Sequence, residues 1–123
     1  MASKKILAVD DDEAIRSLVR LNLTQAGHTV ETANDGAAAL ALLDRNTYDL
    51  IISDVTMPNM DGLELLAAVR ARPALRALPF LLLTAKEEPA DVTRGYAAGT
   101  DVYLTKPFTP TQLLTWVEKL LHE

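Results

Sequence analysis

Four places in this chain put charged or hydroxyl side chains directly behind apolar runs. Asp10, Asp11, Asp12 and Glu13 follow residues 6–9, and Asp54 closes the run that starts at Leu50. Thr84 follows residues 80–83, and Lys106 follows residues 102–105. Each has an ordinary structural use on its own. The acid run can cap a helix, Asp54 can start a turn, Thr84 is a β-former, and Lys106 is the sort of lysine usually found in solvent. Brought to one place they could do more. Asp10, Asp11 and Asp54 would crowd negative charge into one shallow pocket, which calls for a cation. All-oxygen ligands suit Mg²⁺. A carboxylate beside a bound cation, a hydroxyl and a lysine can accept a phosphoryl group, with the cation and the ammonium offsetting charge on the phosphoryl oxygens.

The elements that must position these residues are legible as alternating patterns. Five short runs (6–9, 29–32, 50–52, 80–83 and 102–104) alternate with five stretches of helical period. Most of the runs are apolar, as strands buried on both faces are, whereas Thr29-Val30-Glu31-Thr32 alternates and reads as an edge strand. The first helical stretch, about 13–26, stacks Ile15, Leu18, Val19 and Leu23 and stops at Gly27. Asp35 is the expected N-cap of the second, and the third begins near Gly62. The fourth follows Pro89 and ends at Gly99. Thr109-Pro110-Thr111-Gln112 opens the fifth with a capping-box pattern, and its apolar stripe is Leu113, Leu114, Val117, Leu120 and Leu121. Five strand–helix units predict a parallel sheet with helices on both faces, because each crossover is right-handed. Function in such doubly wound sheets sits outside the carboxyl ends of the strands, which is where the acids, Thr84 and Lys106 fall.

Composition narrows the classes. The 123 residues suit one domain, here 1–123, with one core. There is no cysteine, hence neither a disulfide framework nor a thiolate metal site, and a cytoplasmic location is expected. Twelve basic against seventeen acidic residues leave a formal charge of −5, which argues against direct nucleic-acid binding. No apolar run reaches membrane-spanning length, so no membrane association is expected.

The motifs "VDDDE" (9–13), "SDVTMPNMDGLELL" (53–66), "LLLTAK" (81–86) and "YLTKPF" (103–108) occur in the order found in response-regulator receiver domains. The chain resembles that family along essentially its whole length, particularly single-domain members of the chemotaxis-regulator type. The resemblance implies an α/β, flavodoxin-like (βα)5 fold with strand order 2-1-3-4-5. It implies Asp54 as phosphoacceptor in a two-component system, with Mg²⁺ held by Asp11, by Asp10 through water, by Asp54 and by the backbone carbonyl of Thr56. Lys106 would pair with the phosphoryl oxygens, next to a cis Lys106–Pro107 peptide. Thr84 and Tyr103 would be the switch pair, reporting phosphorylation on the face made by the fourth helix, the fifth strand and the fifth helix. The implied partners are a histidine kinase or phosphotransfer protein, a downstream target and, on phosphorylation, a second copy of the domain. The chain would be a signalling domain rather than an enzyme, although self-phosphorylation from small donors and self-dephosphorylation are expected.

Three positions depart from the chemotaxis type. Val55 stands where that type has a tryptophan, and Thr56 and Lys86 stand where it has an amide and a carboxylate. Thr56 and Lys86 are therefore expected to tune phosphoryl lifetime. Trp116 and Lys119 fall on the implied partner face near Tyr103, with Trp116 at the rim of its helix's buried stripe, either sealing the core or anchoring a partner. The enzyme alternative is a small haloacid-dehalogenase-type phosphatase with Asp10 as nucleophile. It accounts for the Asp10–Asp12 spacing but gives Asp54 no task. A pure interaction domain is a third reading, against which the acid pair, Asp54, Thr84 and Lys106 all count.

Overall fold

The computed structural model describes residues 4–57, 60–84, 96–97 and 99–122. Five strands are found: β1 (Lys5–Val9), β2 (Thr29–Ala33), β3 (Leu50–Asp54), β4 (Phe80–Thr84) and β5 (Val102–Thr105). Among the described residues the helices are α1 (Glu13–Gln25), α2 (Gly36–Arg45), α3 (Gly62–Ala71) and α4 (Pro110–Leu121), with a 3₁₀ turn at Pro73–Leu75. Thus α4 is the fifth helical stretch of the sequence. The fourth, expected between Pro89 and Gly99, lies outside the described residues apart from Tyr96, Ala97 and Gly99.

All four strand pairings are parallel and the order is β2-β1-β3-β4-β5. The winding reverses between β1 and β3. Side-chain alternation sends Leu7, Val9, Ile51, Phe80 and Leu82 to one face, where they meet α2 and α3. Ile6, Ala8, Leu50, Ile52, Leu81 and Leu83 go to the other face and meet α1 and α4. Burial on both faces explains why β1, β3 and β4 read as unbroken apolar runs, and β2, on the edge, does not.

The helix ends follow local chemistry. Asp12, Asp35 and Thr109 accept hydrogen bonds from the first-turn amides of α1, α2 and α4. Such caps are each worth about 1 kcal/mol. Gly27 turns the chain after α1 with φ +95°. One expected core position is corrected: Leu18 is exposed, and Asn22 is buried beside Val19 and Leu23. Leu18 lies about 100° around the helix from Val19, just past the face that α1 turns to the sheet. At the opposite end of the sheet, His28 Nδ1 accepts from the Lys4 amide (3.3 Å), and its Nε2 donates to Glu118 (2.7 Å), tying α4 to the start of β1.

Candidate functional site

β1, β3 and β5 deliver their last residues to one edge of the sheet. Asp10 is buried just past β1, Asp11 is exposed beside it, and Asp54 is the buried last residue of β3. Carboxylate oxygens of the three lie within 4.8 Å of one another. Lys106 leaves β5 through a cis peptide to Pro107 and gives its backbone N–H to the Thr84 carbonyl. Its side chain comes back over the sheet, placing Nζ 3.1 Å from Asp10 Oδ2 and 3.2 Å from Asp54 Oδ1. The sequence-predicted acids and lysine therefore meet.

The electrostatics follow from burial and proximity. Burial is the main reason that the Asp54 carboxyl is pushed above its ordinary value, and the Asp10 charge adds to it; Lys106 opposes the shift without cancelling it. Burial alone would lower the Lys106 ammonium, but its hydrogen bond to Asp10 and the charges of Asp54 and Asp10 win, raising it. Three carboxylates against one ammonium leave two negative charges, the balance a divalent cation corrects. Hard oxygen donors and this spacing fit Mg²⁺, since two oxygens on opposite sides of that ion stand roughly 4 Å apart.

The backbone around the acids is held firmly. The Asp10 amide donates to the Ala33 carbonyl (3.1 Å), its carbonyl accepts from Arg16 Nη1 (2.7 Å), and its Oδ1 accepts from the Asp12 amide (2.9 Å). On the other side of the pocket, the Gly62 amide donates to the Val55 carbonyl (2.8 Å). A Cβ on Gly62 would lie 2.1 Å from the Asp54 carbonyl oxygen, so α3 can start here only without a side chain. Asp61 and Glu64 close a capping box around this start. The D-x-x-E spacing was the available signal for the box; nothing in the sequence signals the contact made by Gly62 or the reach of Arg16.

Thr84 is buried at the end of β4, opposite Thr105 in the ladder. Tyr103, two residues earlier on β5, is buried among the α2–α3 side core, and its hydroxyl has no hydrogen-bond partner among the described residues. Thr56 is exposed on the turn after β3, whereas Lys86 lies outside the described residues. Trp116 stands at the rim of α4 with 36% of its surface exposed, and Lys119 Nζ sits 5.3 Å above its ring.

Comparison with known proteins agrees with this architecture. Residues 6–118 match the family described as response regulator receiver domain. The chain is 41% identical over 119 residues to the alkaline phosphatase synthesis transcriptional regulatory protein PhoP of Bacillus subtilis, covering 97% of this chain and 49% of that protein. It is 43% identical over 117 residues to the response regulator MprA of Mycobacterium leprae, covering 95% and 50% respectively. The chain thus spans about half the length of these curated relatives. Among solved structures, the chemotaxis response regulator CheY4 of Vibrio cholerae superposes with a TM-score of 0.92 at 42% identity, covering 98% of this chain and 100% of that one. The chain belongs to the response regulator receiver domain family, the CheY-like phosphoaccepting signalling domains of two-component systems.

Proposed function

We propose that Asp54 is the phosphoacceptor and that residues 1–123 act as one receiver domain. The observation that carries this reading is the ammonium of Lys106 held within 3.2 Å of Asp54, beside a carboxylate group with room for a divalent cation. An Asp54 oxygen attacks phosphorus, a new O–P bond forms, and the donor's N–P bond breaks when the donor is a kinase or phosphotransfer phosphohistidine. The freed imidazole takes a proton from solvent. Burial raises the basicity of Asp54 and so favours it as a nucleophile. Asp10, Asp11 and Asp54, with the Thr56 carbonyl, would hold Mg²⁺, whose contribution is to offset charge on the phosphoryl oxygens. Lys106 contributes a further fixed positive charge, and the Arg16 and Ala33 contacts keep Asp10 in place. The domain is proposed to act in the cytoplasm. Thr56 and Lys86, which stand where the chemotaxis type has an amide and a carboxylate, are proposed to set phosphoryl lifetime. Labelling with a small phosphodonor and Mg²⁺, followed by peptide mapping, tests the assignment: label on Asp54 is expected, and label on Asp10 would favour the phosphatase chemistry.

Signalling is proposed to pass from Thr84 and Tyr103 to the face that includes β5 and α4. Thr84→Ala is expected to accept the phosphoryl group on Asp54 with little change, yet to lose most of the phosphorylation-dependent gain in partner binding. A contact can drive a population shift only if it differs between the two states. Binding measured with phosphorylated protein checks this, and an undiminished gain would route the signal elsewhere.

Trp116 is proposed to anchor a downstream target or a second copy of the domain, with Lys119 at the edge of the same patch. It is 36% exposed and carries the Lys119 ammonium over its ring, an amphipathic surface of the kind that anchors partners. Trp116→Ala is expected to weaken association about tenfold or more, as the loss of an aromatic anchor does. Its stability cost should be about 1 kcal/mol, well under the roughly 3–5 kcal/mol of a core aromatic. Denaturant unfolding of the variant separates the two roles.

A further inference from the structure

We infer that a cavity directly behind Asp10 is a second, anion-binding site, coupled to the acid pocket through Arg16. The cavity, about 430 Å³, lies at the carboxyl end of edge strand β2, where Arg16 of α1 approaches one face of α2. Its size is that of small-molecule sites. Ala38, Ala41 and Arg45 fall on the same side of α2 at spacings of three, four and seven residues, so two small side chains leave an open floor with a guanidinium at its end. Asn34 and the Arg16 guanidinium supply further hydrogen-bond donors.

The charge balance selects the ligand. Among the described residues, no acidic side chain lines the cavity. Of the acids nearest in sequence, Glu31 pairs with Lys5 and Tyr48, and Asp44 pairs with Arg72. Asp12 and Asp35 accept from the Ala14 and Ala38 amides, and Glu13, exposed on the first turn of α1, is not among the lining residues. Neither Arg16 nor Arg45 forms an ion pair among the described residues. Two planar forks without carboxylate partners, in a protein of formal charge −5, suit a carboxylate or phosphate group held by its oxygens. The alanine floor suits a short carbon body. The ligand class is therefore a small organic oxyanion.

The coupling comes from the backbone of Asp10. Its carbonyl accepts from Arg16 Nη1 and its amide donates to the Ala33 carbonyl, and both Arg16 and Ala33 line the cavity. An anion that recruits Arg16 pulls on the peptide that aims the Asp10 carboxylate at Lys106. Occupancy of the cavity and the state of the acid pocket must then affect each other reciprocally.

The test is an amide NMR titration of the unphosphorylated protein without magnesium, so it stands or falls separately from the Asp54 assignment. The probes are glycerol 2-phosphate, succinate and inorganic phosphate, with sodium chloride at matched ionic strength as the reference. Saturable shifts centred on Ala33, Asn34 and Ala41 and extending to Asp10 are expected for at least one probe, and the probe that saturates first distinguishes phosphate from carboxylate ligands. Arg45→Ala, an exposed substitution outside the acid pocket, should keep the fold and weaken binding about tenfold. Arg16→Lys should retain a positive charge but lose the response at Asp10. Shifts reproduced by chloride, shifts centred on Lys106, or unchanged affinity in Arg45→Ala would overturn the site. A full Asp10 response in Arg16→Lys would overturn the coupling.

Discussion

Asp54→Asn is expected to abolish phosphoryl uptake from acetyl phosphate and Mg²⁺ while making the unphosphorylated domain more stable at neutral pH. The loss follows from removing the ionised oxygen that attacks phosphorus, and intact-mass measurement should show no added phosphoryl group. The gain in stability follows from the environment of the carboxylate. Asp54 is buried against Asp10, which raises its carboxyl above the ordinary value of 3.8. A carboxyl raised in the folded state favours folding in its protonated form. Its contribution is therefore full at low pH and lost as pH rises from 3.8 through the raised value. The amide is neutral throughout, so the advantage of Asp54→Asn over wild type should be largest near neutrality and shrink as pH falls through that window. Lys106 does not counter this, because Asp10 remains as its partner at 3.1 Å. Denaturant melts across that pH range check the sign. A variant that still gains a phosphoryl group would remove Asp54 from the acceptor role, and one that is less stable than wild type at neutral pH would show that the pair with Lys106 outweighs burial.

Gly62→Ala is expected to damage stability and phosphorylation together. The added methyl would lie 2.1 Å from the Asp54 carbonyl oxygen and 2.9 Å from Val55 Cα, both backbone atoms that cannot rotate away. Either α3 retreats from the end of β3, breaking the Gly62–Val55 hydrogen bond, or the Asp54 peptide itself shifts. Overpacking of this kind costs roughly 1–3 kcal/mol, and the lost hydrogen bond adds about 1 kcal/mol. Phosphorylation from acetyl phosphate should fall sharply as well, because the displaced atoms belong to the acceptor's own backbone. Gly27→Ala is the control. Gly27 has φ +95° with nothing within 4 Å of the added carbon, so its cost is backbone strain alone, about 1 kcal/mol, at a distance from the acids. Gly62→Ala with wild-type stability and phosphorylation would mean that this approach is looser than the structure has it.

How much of this was legible beforehand differs between elements, and the reason is range. Alternating apolar runs and caps are local patterns, so β1 to β5, the N-caps at Asp35 and Thr109, and the edge character of β2 could be read along the chain. The placement of Asp10, Asp11, Asp54 and Lys106 at one edge also followed, because a parallel sheet with right-handed crossovers puts every strand's carboxyl end on the same side. Helical period alone misplaced Leu18, since it gives a face but not its centre, and the direction of α1 on the sheet brought Asn22 inward instead. Contacts between distant segments had no local signature. The 3.1 and 3.2 Å reach of Lys106 to two acids, the raised Asp54 carboxyl, the backbone approach that requires Gly62, and the cavity that joins Arg16 to Asp10 depend on side-chain direction and burial in three dimensions. By itself the sequence determined which chemical groups the chain owns and which edge of the sheet they share. Tertiary packing decided which of them touch, because a few ångströms of approach set both the charge balance and the space left for a side chain or a ligand.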